Sequence, residues 1–200
     1  MSRTESTMVQ LGTIAPAFEL VDMLSGEALS RDDVFFADGA AKKRGLLVMF
    51  VCPHCPYVKH LEAELGRIGA DYFGEAGEGP IAIAAIMSND TVEYPQDGPD
   101  EMKDQAARNG WRFPYLLDEM QEVARAYEAA CTPDFFLFDG EMKLVYRGQL
   151  DESRPRRGDF GNDVPVNGKD LRAALDAVVA GKRPDTNQRS SIGCNIKWRE

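Results

Sequence analysis

Apolar positions fall into three patterns along this chain, and each predicts a different element. Residues 45–51 (GLLVMFV) and 81–86 (IAIAAI) are near-continuous apolar runs, the pattern of strands buried on both faces of a sheet. Residues 17–22 (AFELVD) alternate instead and predict a short half-buried strand; Ser25-Gly26 supplies a turn, and 27–29 return as a second strand. Residues 31–44 are polar and Gly/Ala-rich and read as a short helix with a connection. From about 53 to 73 the period lengthens to that of a helix, with Val58, Leu61, Leu65 and Ile68 on one stripe. Pro53 suits the helix start, and Pro56 falls in the first turn, where a missing N–H costs little.

Beyond the break at 74–80, residues 89–98 form a polar loop and 99–108 a helix ended by Asn109-Gly110. Residues 113–118 read as an edge strand or extended segment, and 119–127 as a short helix. Residues 134–139 and 143–147 pair as a hairpin around Gly140-Glu141, and 166–180 is an amphipathic helix with Leu171, Ala174, Leu175 and Val178 inward. This order predicts an α/β fold: a central mixed sheet flanked by helices, with an N-terminal hairpin extension and a C-terminal tail. The expected organisation is a flexible N-terminus over 1–10, one domain over 11–182, and a tail over 183–200 that packs back on it.

Composition narrows the function classes. A net charge of -10 argues against nucleic acid and anionic membranes as partners. No apolar run approaches the roughly 20 residues that span a bilayer, and residues 1–15 lack the apolar core of a secretory signal. A cytoplasmic location is therefore expected. Four cysteines are too few for a disulfide scaffold, and in a reducing compartment a close pair points to redox or metal chemistry.

That pair is Cys52-Pro53-His54-Cys55, set at a strand-to-helix junction. Free N–H groups and the dipole of a helix N-terminus favour a thiolate, and the thiolate is the nucleophile of disulfide exchange. Cys52, ahead of the helix, is expected to be the more exposed, attacking thiol. Cys55, one turn inside, is expected to resolve the mixed disulfide. An imidazolium at His54 would lower the Cys52 pKa further. The bland alternative is a metal half-site; structural zinc needs four ligands, and beyond His54 the only other histidine is His60. Copper(I) can use two thiolates and stays open as a binding-module reading.

Several segments together carry a resemblance: the opening Gly12-x-x-Ala15-Pro16-x-Phe18-x-Leu20, CPHCPYVKH at 52–60, CTPDFFLF at 131–138, VYRGQLDESRP at 145–155 and IGCNIKW at 192–198. They resemble the redoxin group of thioredoxin-fold proteins, of the alkyl hydroperoxide reductase/thiol-specific antioxidant and peroxiredoxin-like type. The resemblance implies a thioredoxin fold and thiol-disulfide oxidoreductase activity without a bound cofactor. It implies protein or small-molecule disulfides as exchange partners and a dithiol protein as electron donor. It also implies that Pro133 is a cis-proline facing the cysteine motif, with Pro53, Thr132 and Pro133 contacting substrate and Thr132 offering backbone groups to an extended segment. A peroxidase reading stands beside it. The Thr or Ser that peroxiredoxins carry three residues before the reactive cysteine is here Met49. Cys131, beside the proline loop, and Cys194, in the tail, read as a second thiol pair that forms a disulfide or relays electrons to Cys52–Cys55.

Overall fold

The computed structural model describes residues 3–36, 43–156 and 160–199. Ten strands are present in these segments: β1 Arg3–Glu5, β2 Glu19–Asp22, β3 Ala28–Ser30, β4 Gly45–Phe50, β5 Ile81–Met87, β6 Tyr115–Leu117, β7 Cys131–Thr132, β8 Asp134–Asp139, β9 Leu144–Gly148 and β10 Ile192–Asn195. The α-helices are α1 Arg31–Phe35, α2 Pro56–Ile68, α3 Pro99–Asn109, α4 Glu122–Ala126 and α5 Lys169–Val179. Residues 37–42, the rest of the expected connection after α1, lie outside the described residues.

Seven strands form the main sheet in the order β3-β2-β6-β5-β4-β8-β9. Within it, β4 runs parallel to the middle strand β5 and antiparallel to β8. Every residue of β4 and β5 is buried, as their unbroken apolar runs require. Leu47, Met49 and Ile83 face a core closed by α2, α3 and α5 through Leu61, Leu65, Met102, Leu171 and Leu175. Leu46, Val48 and Phe50 face the opposite core, closed by Val34 of α1, Val123 of α4, and Phe18 and Tyr127. Helices therefore cover both faces, and the helical stripe of α2 is the one the sequence predicts.

Two expectations change. Residues 113–118 do not form an edge: β6 lies between β2 and β5, because the first strand of the N-terminal hairpin, β2, pairs beyond it through Val21 and Leu117. The N-terminus, expected to be flexible over 1–10, contributes β1, which pairs antiparallel with β10 (Thr4 opposite Gly193). β10 in turn pairs with β7, making a small second sheet β1-β10-β7. A tail strand with an open edge gives an N-terminal strand a hydrogen-bonding template, which sequence alternation alone does not reveal.

Candidate active site

β4 ends at Phe50, and Val51 makes a last ladder bond to the Ile86 carbonyl at 3.0 Å. The chain then turns through Cys52-Pro53-His54, and α2 begins with Cys55 as its N-cap in extended conformation and Pro56 behind it. Here the expected helix start moves by three residues. Pro56, not Pro53, occupies the first helical position, where its fixed φ suits the helix. The thiol at the helix N-terminus is consequently Cys55, while Cys52 sits in the turn before it.

Facing both cysteines is the β7–β8 junction, where the Thr132–Pro133 peptide bond is cis. Thr132 touches each thiol: its Oγ1 lies 3.4 Å from Cys52 Sγ, and its carbonyl oxygen accepts from Cys55 Sγ at 3.1 Å. The two cysteine thiols are close enough to shift each other's acidity. Both are buried, with Cys52 1% exposed and Cys55 0%.

The acidities reverse the expectation. Burial pushes the Cys52 thiol up, and its contact with Cys55 and the nearby Asp97 carboxylate push the same way; only the Thr132 hydroxyl opposes them. Burial also works against ionisation of Cys55, but the thiols of Cys194 and Cys52, the Val58 N–H and Thr132 outweigh it and hold Cys55 down. Cys52 is therefore neither the low-pKa thiol nor an exposed one. Within the pair, the groups that reach Cys55, the Cys194 and Cys52 thiols first and the Val58 N–H after them, favour ionisation there over Cys52.

His54 is engaged by Asp97. Its Nδ1 lies 2.5 Å from Asp97 Oδ2, and its backbone N–H donates to Asp97 Oδ1 at 3.0 Å. Asn89 Nδ2 donates to the same carboxylate at 2.8 Å. Asp97 is wholly buried, and the imidazole stacks on Tyr94 with ring centroids 6.0 Å apart and planes within 7°. Asp97, Asn89 and Tyr94 are the residues the sequence reading passed over, since they lay in a segment read only as polar loop. The ligand atoms of Cys52, His54 and Asp97 lie within 4.8 Å of one another and are the set that could hold a metal ion.

The expected Cys131–Cys194 pairing is not supported by the strand register. Cys194 stands opposite Thr132, while Cys131 stands opposite Asn195. Alternation along a strand then puts the Cys131 and Cys194 side chains on opposite faces of the ribbon. Cys194 faces the redox motif and hydrogen-bonds Cys55. Cys131 approaches the Pro133 carbonyl at 3.6 Å, and burial, followed by the Asp134 carboxylate, pushes its thiol up. A disulfide needs Cβ vectors that converge, so bridging Cys131 to Cys194 would require the backbone to move.

Thr132 is the residue expected to present substrate. Its strand edge is already paired with β10, and the tail is locked by further contacts. Ser191 Oγ donates to the Pro133 carbonyl at 2.6 Å, and Lys197 N–H to Asn89 Oδ1 at 2.9 Å. Gln121 Nε2 donates to the Lys197 carbonyl at 2.7 Å, and the Arg125 guanidinium lies 4.4 Å over the Trp198 ring. The motif IGCNIKW thus acts as a strap across the thiol face.

A sheet with this order, a thiol pair at the strand-to-helix junction and a cis-proline opposite it define a redoxin-type protein of the thioredoxin fold. The chain belongs to the AhpC/TSA family, whose family model matches residues 11–147. It is similar over 100% of its length to an uncharacterized conserved protein from Geobacillus kaustophilus, at 46% identity, 97% coverage of that chain and a TM-score of 0.88. A hypothetical protein from Sinorhizobium meliloti 1021 matches at 42% identity and a TM-score of 0.86, with 98% of each chain covered. The fold alone is shared with the thioredoxin domain of a thiol-disulfide oxidoreductase from Bacteroides vulgatus, at 20% identity and a TM-score of 0.53, over 70% of this chain and 88% of that one. No curated protein matches the sequence. No helix among the described residues is long and apolar enough to cross a membrane.

Proposed function

We propose that this protein is a thiol-disulfide oxidoreductase whose working pair is Cys52 and Cys55. The observation that carries this reading is the contact of two thiols at the start of α2, with Thr132 of the cis-proline turn against both sulfurs. Cys52 precedes the helix and adjoins His54, whose side chain is 11% exposed, so attack on an incoming disulfide begins there. The Cys52 proton passes to the Cys55 thiolate as the Cys52 sulfur bonds to substrate and one substrate thiolate departs. Once deprotonated again, Cys55 attacks the Cys52 sulfur, releasing the second substrate thiol and closing the Cys52–Cys55 disulfide. His54 acts by position: Asp97, Asn89 and Tyr94 hold its ring and with it the turn that carries Cys52. A dithiol partner then returns the pair to the reduced state.

The test is the reduction potential of the pair, set by equilibration in glutathione buffers with thiol counting at each poise. A value near about -270 mV makes the protein a reductant, and one near about -120 mV an oxidant. Failure of Cys52 and Cys55 to form a disulfide at any poise sinks the assignment. One observation favours peroxide as a second oxidant: the hydroxyl missing at Met49 is supplied beside Cys52 by Thr132. Oxidation of Cys52 by stoichiometric hydrogen peroxide, read by mass spectrometry, checks that reading.

A further inference from the structure

The exchange cycle above uses two of the four cysteines, yet a third sulfur stands in the same cluster. Cys194 is 2% exposed and lies in the core that holds Cys52 and Cys55. β10 sets it opposite Thr132, the residue that touches both motif thiols. The approach is enforced by sequence: a Cβ on Gly193 would collide with the Thr132 carbonyl oxygen, so only glycine lets the strap lie this close. The Cys194 thiol is hydrogen-bonded to the Cys55 sulfur. Cys55 is thereby the motif sulfur that both Cys52 and Cys194 reach. Cys194 is also presented on an extended segment paired antiparallel to the edge before the cis-proline. It stands where a thiol in an extended peptide would meet the motif.

We propose that Cys194 is a third redox thiol of this site, which takes the disulfide over from Cys52 as a Cys55–Cys194 bond. This rests on the Cys52–Cys55 exchange reading. After that exchange the pair is oxidised and Cys194 is a thiol. The Cys194 sulfur, losing its proton, attacks the Cys55 sulfur; the S–S bond between Cys52 and Cys55 breaks, and Cys52 departs as a thiolate that takes up a proton. One disulfide is made and one is lost, so the step is an isomerisation that needs no outside oxidant or reductant. Its product has Cys52 free again beside Thr132 while the oxidising equivalent is stored between two inner cysteines. The substrate of this step is the protein's own motif, and the strap is its second resolving arm.

The experiment uses the full chain, reduced, then treated with one equivalent of diamide and quenched at intervals with acid and N-ethylmaleimide before peptide mapping. In the wild-type protein we expect the Cys52–Cys55 link first and a Cys55–Cys194 link growing at its expense, with the total disulfide constant. Cys52→Ser, checked for its fold by circular dichroism, is expected to form Cys55–Cys194 alone, and Cys194→Ser to hold Cys52–Cys55 alone. A wild-type map that shows Cys52–Cys55 only, with Cys194 fully alkylated at all times, overturns the proposal and leaves the exchange reading intact. A Cys131–Cys194 link overturns it as well. If Cys52–Cys55 never forms while Cys55–Cys194 does, the exchange reading falls and the Cys194 contact stands as a redox pair in its own right.

Discussion

Cys52 and Cys55 differ in which donors reach them, and that difference has a measurable signature. With burial and Asp97 pushing the Cys52 thiol up, the fraction present as thiolate at neutral pH is small and grows with every step towards alkaline pH. Alkylation of Cys52 by iodoacetamide, followed by mass spectrometry from pH 6 to 10, is expected to accelerate throughout. A rate that is already flat at pH 7 would show a low-pKa Cys52 and reject the assignment. Thr132 is the one group that favours the Cys52 thiolate. Its hydroxyl is worth about 1 kcal/mol, so Thr132→Val should slow that alkylation at pH 8 by about fivefold with little change in the fold. At this scale the sequence announced the pair and the cis-proline through motif and resemblance. It misassigned the acidity because that depends on which residue caps α2, and a Cys-Pro-His-Cys-Pro stretch offers two prolines as helix starts. Asp97 was beyond reach: 43 residues separate it from His54.

At the scale of elements, the strap β10 is what distinguishes this site from an open cleft. Periodicity found β4, β5, α2 and α5 because each buries a full face, and the period of the apolar residues reports that directly. It could not find β1 or β10, which are three and four residues long and are held by edge pairing and side-chain locks rather than by an apolar face. The tail's closing motif was conspicuous but had no assignable contact until Thr132, Asn89 and Gln121 were seen to receive it. Gly193 is the point at which that docking is most exposed to test. Adding one methyl group drives a Cβ into the Thr132 carbonyl and Pro133 nitrogen, both backbone atoms with no rotamer to escape through. Gly193→Ala is expected to cost about 1–3 kcal/mol by overpacking and to speed amide exchange in β1 and β10 together, since among the described residues β1 has no other strand partner. Cys55, no longer covered, should react faster with maleimides. Unchanged exchange in β1 and β10 would mean that the strap is held elsewhere.

For the whole molecule, a pH signature comes from Asp134, the residue after the cis-proline. It is wholly buried on β8 opposite Phe50, and its Oδ1 has no hydrogen-bond partner. Burial pushes its carboxyl up to about 8, against the partial opposition of the Ala130 and Phe135 N–H groups. The sign follows from proton uptake. Between the ordinary value of 3.8 and about 8, the folded chain holds a proton that the unfolded chain has released. This group's contribution to stability is therefore complete below pH 4 and is lost as pH rises towards 8, the reverse of a salt-bridged carboxylate. Asp151 runs the ordinary way. Burial would raise it, but the Ser153 hydroxyl and the Asn167, Gly168 and Ser153 N–H groups hold it down, so its contribution is present above pH 4 and lost below. Both contributions are in place together on the acid side of neutrality. Asp134→Asn keeps an acceptor for the Ala130 N–H and removes the titration. It should raise the unfolding midpoint far less near pH 5 than at pH 8.5, by about 3 °C for each kcal/mol recovered in a chain of this length. Thermal melts of both proteins from pH 5 to 8.5 decide the point: parallel curves would show that Asp134 is ionised throughout and that its burial is compensated by the fold around the cis-proline.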